Sequence, residues 1–90
     1  MATFISVNGK TNEISPKNGS DFSLEEMQEY VGGYVEVLDL DDDNIMIIDE
    51  EGKLKGKEIN KLATLKYLDV YGFSDIIVGN AVICKSEEFK

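Results

Sequence analysis

Seven carboxylates fall within the fifteen residues of LDLDDDNIMIIDEEG, residues 38 to 52. Oxygen donors at this density raise the question of a divalent cation. A helix–loop–helix calcium loop needs ligands at positions 1, 3 and 5, glycine at 6 and a bidentate glutamate at 12. Counting from Asp39, the residues Asp39, Asp41, Asp43 and Glu50 take positions 1, 3, 5 and 12. Position 6 is Asn44 rather than glycine, and position 9 is Ile47, which has no ligand side chain. The flanks YVEV and IMII have the pattern of strands, where the calcium motif requires helices. An acidic turn between two strands accounts for the same letters, so no metal is assigned. Asp39, Asp41, Asp43 and Glu50 are kept as one alternative, a divalent-metal-stabilised structural domain.

The carboxylates extend beyond this stretch. Between Lys17 and Lys53 there are 12 acidic residues and no basic one, after which Lys53, Lys55, Lys57, Lys61 and Lys66 gather within fourteen residues. The whole chain has 18 acidic residues against 9 lysines, giving a net charge of −9. Such a surface repels nucleic acid and anionic membrane at long range and attracts basic proteins. The segregation predicts an acidic face contributed by residues 21 to 51, with Glu25, Glu26, Glu29, Glu36, Asp39, Asp41, Asp42 and Asp43 as contact residues for a partner with a basic surface.

Catalysis has little support. Without histidine, the usual general base and the Ser-His and Cys-His arrangements are missing. Cys84 lies in the apolar run AVICK, as expected of a small core residue rather than a nucleophile. Gly32-Gly33 lacks the following Gly-Lys-Ser/Thr of a phosphate loop. A non-enzymatic protein without a cofactor is therefore expected. Tyr67, Tyr71 and Lys61 form a second alternative, a small-ligand or nucleotide-sequestering site. The bland reading of Tyr30, Tyr34, Tyr67, Tyr71 and Phe73 is that they cover the core.

These residues need a scaffold, and 90 residues suffice for one modest core. TFISVNGKTNEIS reads as a hairpin around Asn8-Gly9, the strongest short turn signal. SLEEMQEYVGG reads as a helix with Ser23 and Glu26 as a capping box, and Gly32-Gly33 ends it. Leu24, Met27, Tyr30 and Val31 would form its buried stripe. YVEVLDL alternates as a strand, and the continuous apolar run of NIMIID predicts a central strand covered on both sides. A second helix is expected over NKLATLKYLDVYG, capped by Asn60, with Ile59, Leu62, Ala63, Tyr67 and Val70 on one face. One or two strands from SDIIVGNAVICKSEE close the chain. The expectation is an α+β fold: residues 1–90 as a single small domain, with an antiparallel or mixed sheet of about five strands and two helices.

The segments VNGK…ISPKNG, DFSLEEMQEYVGGYVEVL, IMIIDEEGKLKGKEINKLATLKY and DIIVGNAVIC resemble domain of unknown function 3846. This is a family of small uncharacterised proteins of phages, conjugative plasmids and related mobile elements. The resemblance covers nearly the whole chain and is most specific in LEEMQEYVGGYVE and EEGKLKG…IN. It transfers no catalytic residue, and the chain departs from the family pattern in its acidic DLDDDN turn. The resemblance implies a mobile-element protein of the bacterial host cytoplasm. MATFISVNGK, with neither a basic start nor a sustained apolar stretch, fits that location. The leading expectation is an acidic interaction protein that binds a host nucleic-acid-handling or defence protein, with no direct contact to nucleic acid or membrane.

Overall fold

The computed structural model of the chain describes residues 2–72 and 75–89. The alternating N-terminal segment forms a hairpin of β1 (Ala2–Ile5) and β2 (Thr11–Ile14), turned at the expected Asn8-Gly9. A helix, α1 (Leu24–Val31), follows, and then a second hairpin of β3 (Val35–Asp39) and β4 (Asn44–Asp49). Then come α2 (Lys61–Tyr71), β5 (Ala81–Lys85) and a short 3-10 turn, Ser86–Glu88. The strand order is β2-β1-β5-β4-β3, and each neighbouring pair is antiparallel. The expected α+β class is borne out, and the sheet resolves to antiparallel. The last strand in sequence is the middle one in space, joining two local hairpins into a single sheet.

Each helix covers one face of that sheet. Met27 and Val31 of α1 pack with Ala2, Phe22, Ile45, Ile47, Val82 and Cys84. On the other face Ala63 of α2 packs with Met46, Ile77 and Ala81. Successive β4 residues therefore enter different cores, as the unbroken apolar run requires. Fully burying side chains such as Met27 and Val31 contributes about 1.5–3 kcal/mol each.

Helix termini follow local rules. Ser23 accepts from the Glu26 amide, and the Glu26 carboxylate accepts from the Ser23 amide at 2.9 Å, which completes the capping box. Gly32, with φ of 82°, adopts the left-handed conformation that ends α1. Three expected core positions are corrected. Leu24, the first residue of α1, is 48% exposed, and Ile59 before α2 and Val70 within it are exposed too. The stripe on α2 narrows to Ala63, Tyr67 and half-buried Leu62. Tyr30 does cover the core, its ring centroid 5.5 Å from that of Phe4. Tyr34 does not, at 67% exposure. Phe73 lies outside the described residues.

Candidate functional site

The carboxylates divide by what their surroundings do with them. Asp49 closes β4 on the same face as Ile45 and Ile47, so alternation carries it toward the α1 core. Its side chain is fully sealed from solvent. Lys57 Nζ approaches Asp49 Oδ2 at 2.6 Å, Lys55 Nζ approaches the same oxygen at 3.0 Å, and the Glu51 amide donates to Oδ1 at 2.9 Å. Burial pushes the Asp49 pKa up, but the hydrogen bonds from Lys57, the Glu51 amide and Lys55 outweigh it and hold the carboxyl below its usual range.

The same two ammonium groups also finish α1. Lys57 donates to the Val31 carbonyl at 2.7 Å and Lys55 to the Gly32 carbonyl at 3.3 Å. Cations are favoured at a helix C-terminus, where unpaired carbonyls concentrate negative potential. The turn after β4 thereby ties that strand to the exit of α1. Gly33 is needed there for space, since a Cβ would stand 2.5 Å from Lys55 Nζ and 3.0 Å from both Asp49 carboxylate oxygens. Nearby, the buried Asn60 side chain donates to the Ile5 and Gly79 carbonyls at 3.0 and 2.9 Å and accepts from the Ala63 amide at 3.1 Å. It both caps α2 and fastens that helix to the sheet.

Beside this ion cluster lies an open groove of about 470 Å³, lined by Glu25, Gln28, Glu29, Gly33, Tyr34, Glu51 and Lys55. Glu25 and Glu29 project from α1 into solvent, with the exposed Tyr34 ring next to them. Of the expected contact residues, these two glutamates share a site. Glu26 does not join them and is corrected: it is buried, and its carboxylate accepts from the Ser23 and Lys17 amides. Those backbone bonds, the Ser23 amide first, lower its pKa. Glu36 alternates with Val35 and Val37 and faces the α2 side of the sheet.

The aspartates stand at the far end of β3, about 17 Å from the groove for five extended residues. Asp41 is spent locally. Its carboxylate accepts from the Asp43 amide at 2.8 Å and from the Asn44 amide at 2.9 Å, and these bonds lower its pKa. Asp42 and Asp43 are exposed. The single acidic face over residues 21–51 thus divides into two patches bracketing β3, with Glu36 on the opposite face of the sheet.

The metal alternative fails on the same geometry. Asp39, Asp41 and Asp43 sit before β4 and Glu50 directly after it, at opposite ends of a six-residue strand. Among the described residues no group of three or more His, Cys, Asp or Glu side chains could hold a metal ion. The nucleotide alternative is also dispersed. Lys61 opens α2 while Tyr71 closes it, about 15 Å along the axis. Tyr67 and Tyr71 do stack, with centroids 4.6 Å apart, and the Tyr71 hydroxyl donates to the Asp39 carbonyl. Tyr67 also lines a cavity of about 180 Å³ with Glu36, Leu38, Lys53 and Asp75, which is below the range of about 300–1,000 Å³ usual for small-molecule sites.

Cys84 behaves as the core residue expected. It is buried, and burial, helped by the Glu88 charge, pushes its thiol up to about 11. Sequence reasoning missed Asp49, Lys55 and Lys57 as a unit. One signal was available: an acid on the face of Ile45 and Ile47 must find a partner, and a lysine cluster follows it.

Comparison with known proteins places residues 3–90 on the family model described as Domain of unknown function (DUF3846). No curated protein and no solved structure matches the chain. No helix among the described residues is long and apolar enough to cross a membrane.

Proposed function

We propose, for a chain that belongs to this domain family of unknown function, that it is a non-enzymatic interaction protein that binds a basic surface on a host protein. One observation carries the reading: the cations nearest the acidic groove are already occupied, while its carboxylates are not buried in pairs. Lys55 and Lys57 are consumed by Asp49, and Lys53 is held by Asp75 at 2.6 Å. Lys55 itself lines the groove, but its ammonium is turned to Asp49, and Glu25, Glu29 and Glu51 around Tyr34 outnumber it, so the groove carries a net negative lining. Tyrosine suits such a position, because its ring gives contact area while its hydroxyl remains hydrated.

The setting proposed with it is a phage, plasmid or related mobile element, acting in the bacterial cytoplasm. A nucleic-acid-handling or defence protein is the natural partner class, since such proteins carry basic surfaces for phosphates that clustered carboxylates can occupy. The test is capture of host proteins by the tagged chain at low salt, with Glu25→Lys/Glu29→Lys in parallel. The expected result is a captured protein that the double variant loses and that about 0.3 M salt releases, because screening shortens the range of exposed charges. Capture indifferent to both salt and the double variant removes the reading.

A further inference from the structure

The strand β3 borders the sheet, and the two acidic patches lie at its two ends. Its ladder with β4 fixes which peptide groups remain open. The Glu50 amide donates to the Tyr34 carbonyl, and the Leu40 amide donates to the Asn44 carbonyl. With the register of Val35 to Asp49 and Val37 to Ile47, the alternation of an antiparallel ladder turns Glu36 and Leu38 toward β4. Val35, Val37 and Asp39 therefore direct their N–H and C=O groups outward. Tyr71 satisfies the Asp39 carbonyl, which leaves the peptide groups of Val35 and Val37 as the open segment. Val37 is 46% exposed.

The opposite border is guarded. β2 has only four residues, with Lys10 directly before it and Pro16 two residues after it, and shortness, lysine and proline all discourage strand addition. β3 is longer and carries neither residue type. Its charged positions are Glu36 and Asp39.

We infer that β3 accepts an extended segment of the partner as a sixth strand, with basic residues near both ends of that segment. The inference rests on the proposed acidic interaction and specifies how the partner is held. Strand addition supplies affinity through main-chain hydrogen bonds, and side chains supply the choice of sequence. Charge complementarity selects the occupant: one terminal basic residue meets Glu25, Glu29 and Glu51, the other meets Asp39, Asp42 and Asp43, and an apolar residue between them covers Val37. This arrangement uses the separation of the two patches, which a single flat acidic face leaves unexplained. A second copy of the chain fits poorly, since it would bring Glu36, Asp39 and the loop aspartates of two molecules of net charge −9 together.

The probe is a synthetic peptide, Lys-Thr-Val-Thr-Val-Thr-Lys, titrated into the full chain at low salt. Two further versions carry N-methyl groups on one or the other alternate set of amides. The expected result is binding of the parent and of one methylated version. The version methylated on the amides facing β3 should bind at least about tenfold more weakly, as follows from losing hydrogen bonds at equal charge. Val37→Pro, which removes an outward N–H and leaves the ladder to β4 intact, should weaken the parent peptide similarly at unchanged circular dichroism. Equal binding of all three peptides overturns strand addition while leaving the acidic-surface reading in place. Failure of the peptide to bind while the salt-sensitive host protein is still captured does the same, whereas loss of both removes the underlying reading. A concentration-dependent dimer that Val37→Pro abolishes and that excludes the peptide gives the edge to a second copy and overturns the inference.

Discussion

At one end of β4 a carboxylate, Asp49, is sealed beneath Lys55 and Lys57, whereas at the other end Asp42 and Asp43 stand in water. The chemical group is the same and the strand is the same. What differs is the distance along the chain from which each carboxylate draws its partners. Asp49 takes lysines from the following turn and shares them with the end of α1, so its bonds exist only when three elements are assembled. Asp41 takes its hydrogen bonds from Asp43 and Asn44 within its own loop. Asp43 engages the fold through its backbone, its carbonyl accepting from the Ser86 amide at 2.7 Å. Charge that assembles the fold is buried at one end, and charge that the fold leaves in water stands at the other.

The largest effect that would break this comparison is at Asp49. Asp49→Ala leaves two ammonium groups without their common carboxylate, with only the Val31 and Gly32 carbonyls still accepting from them. The expected loss is in the lower part of about 3–5 kcal/mol, because both lysines can swing toward solvent. Chemical denaturation measures it. Asp42→Ala in the same assay should leave the midpoint unchanged, and equal midpoints for the two variants would dissolve the distinction.

A smaller change is expected at Gly33→Ala, whose new Cβ displaces Lys55 from Asp49. A loss of about 1 kcal/mol is expected, comparable to one partly exposed ion pair, with Lys57 keeping Asp49 neutralised. Combining it with Lys55→Ala should cost little more than Lys55→Ala alone, which a double-mutant cycle would read.

The acid limb of the stability profile sharpens the contrast further. Asp49, Glu26, Asp41 and Asp75 all have folded-state pKa values below their ordinary range. As pH falls, the unfolded chain takes up these protons first. The stability they contribute is therefore complete above the ordinary carboxylate range, near 4, and is lost as pH drops through the lower folded values. Thermal melts should be level from pH 7 to about 5 and decline below about 4. Asp49→Asn should start lower and lose less across that interval.

The smallest stability effect is at the loop. Asp41→Ala removes the acceptor for the Asp43 and Asn44 amides, so its melting temperature should fall between those of Asp49→Ala and Asp42→Ala. Asp42→Asn/Asp43→Asn should leave melting unaltered and weaken capture of the basic partner at low salt. A clear drop in melting temperature for that pair would show the far end to be structural after all.

Much of the local structure was legible in advance. Asn8-Gly9 specifies a hairpin because it tolerates the backbone angles that a tight turn requires. Ser23 and Glu26 specify a helix start because their side chains reach amides three residues away. NIMIID specified a strand covered on both faces. Partial failures came where burial depends on a distant surface: Leu24 and Val70 have the right spacing for a stripe, yet both are exposed. The eight proposed contact residues show the same limit. Counting charges located the acidic segment, but not which carboxylates the fold would spend, nor that β3 would hold the remainder apart at its two ends.

By itself the sequence determined the turns, the caps, the two helices, the excess of acid and the lack of histidine chemistry, all properties of neighbouring residues. The tertiary structure alone decided that β5 would enter between β1 and β4, leaving β2 and β3 as borders. It also decided that Lys55 and Lys57 would close over Asp49. Those outcomes depend on which surfaces meet when both helices bury their apolar sides against one sheet, and such contacts between distant residues leave no period or spacing in the chain.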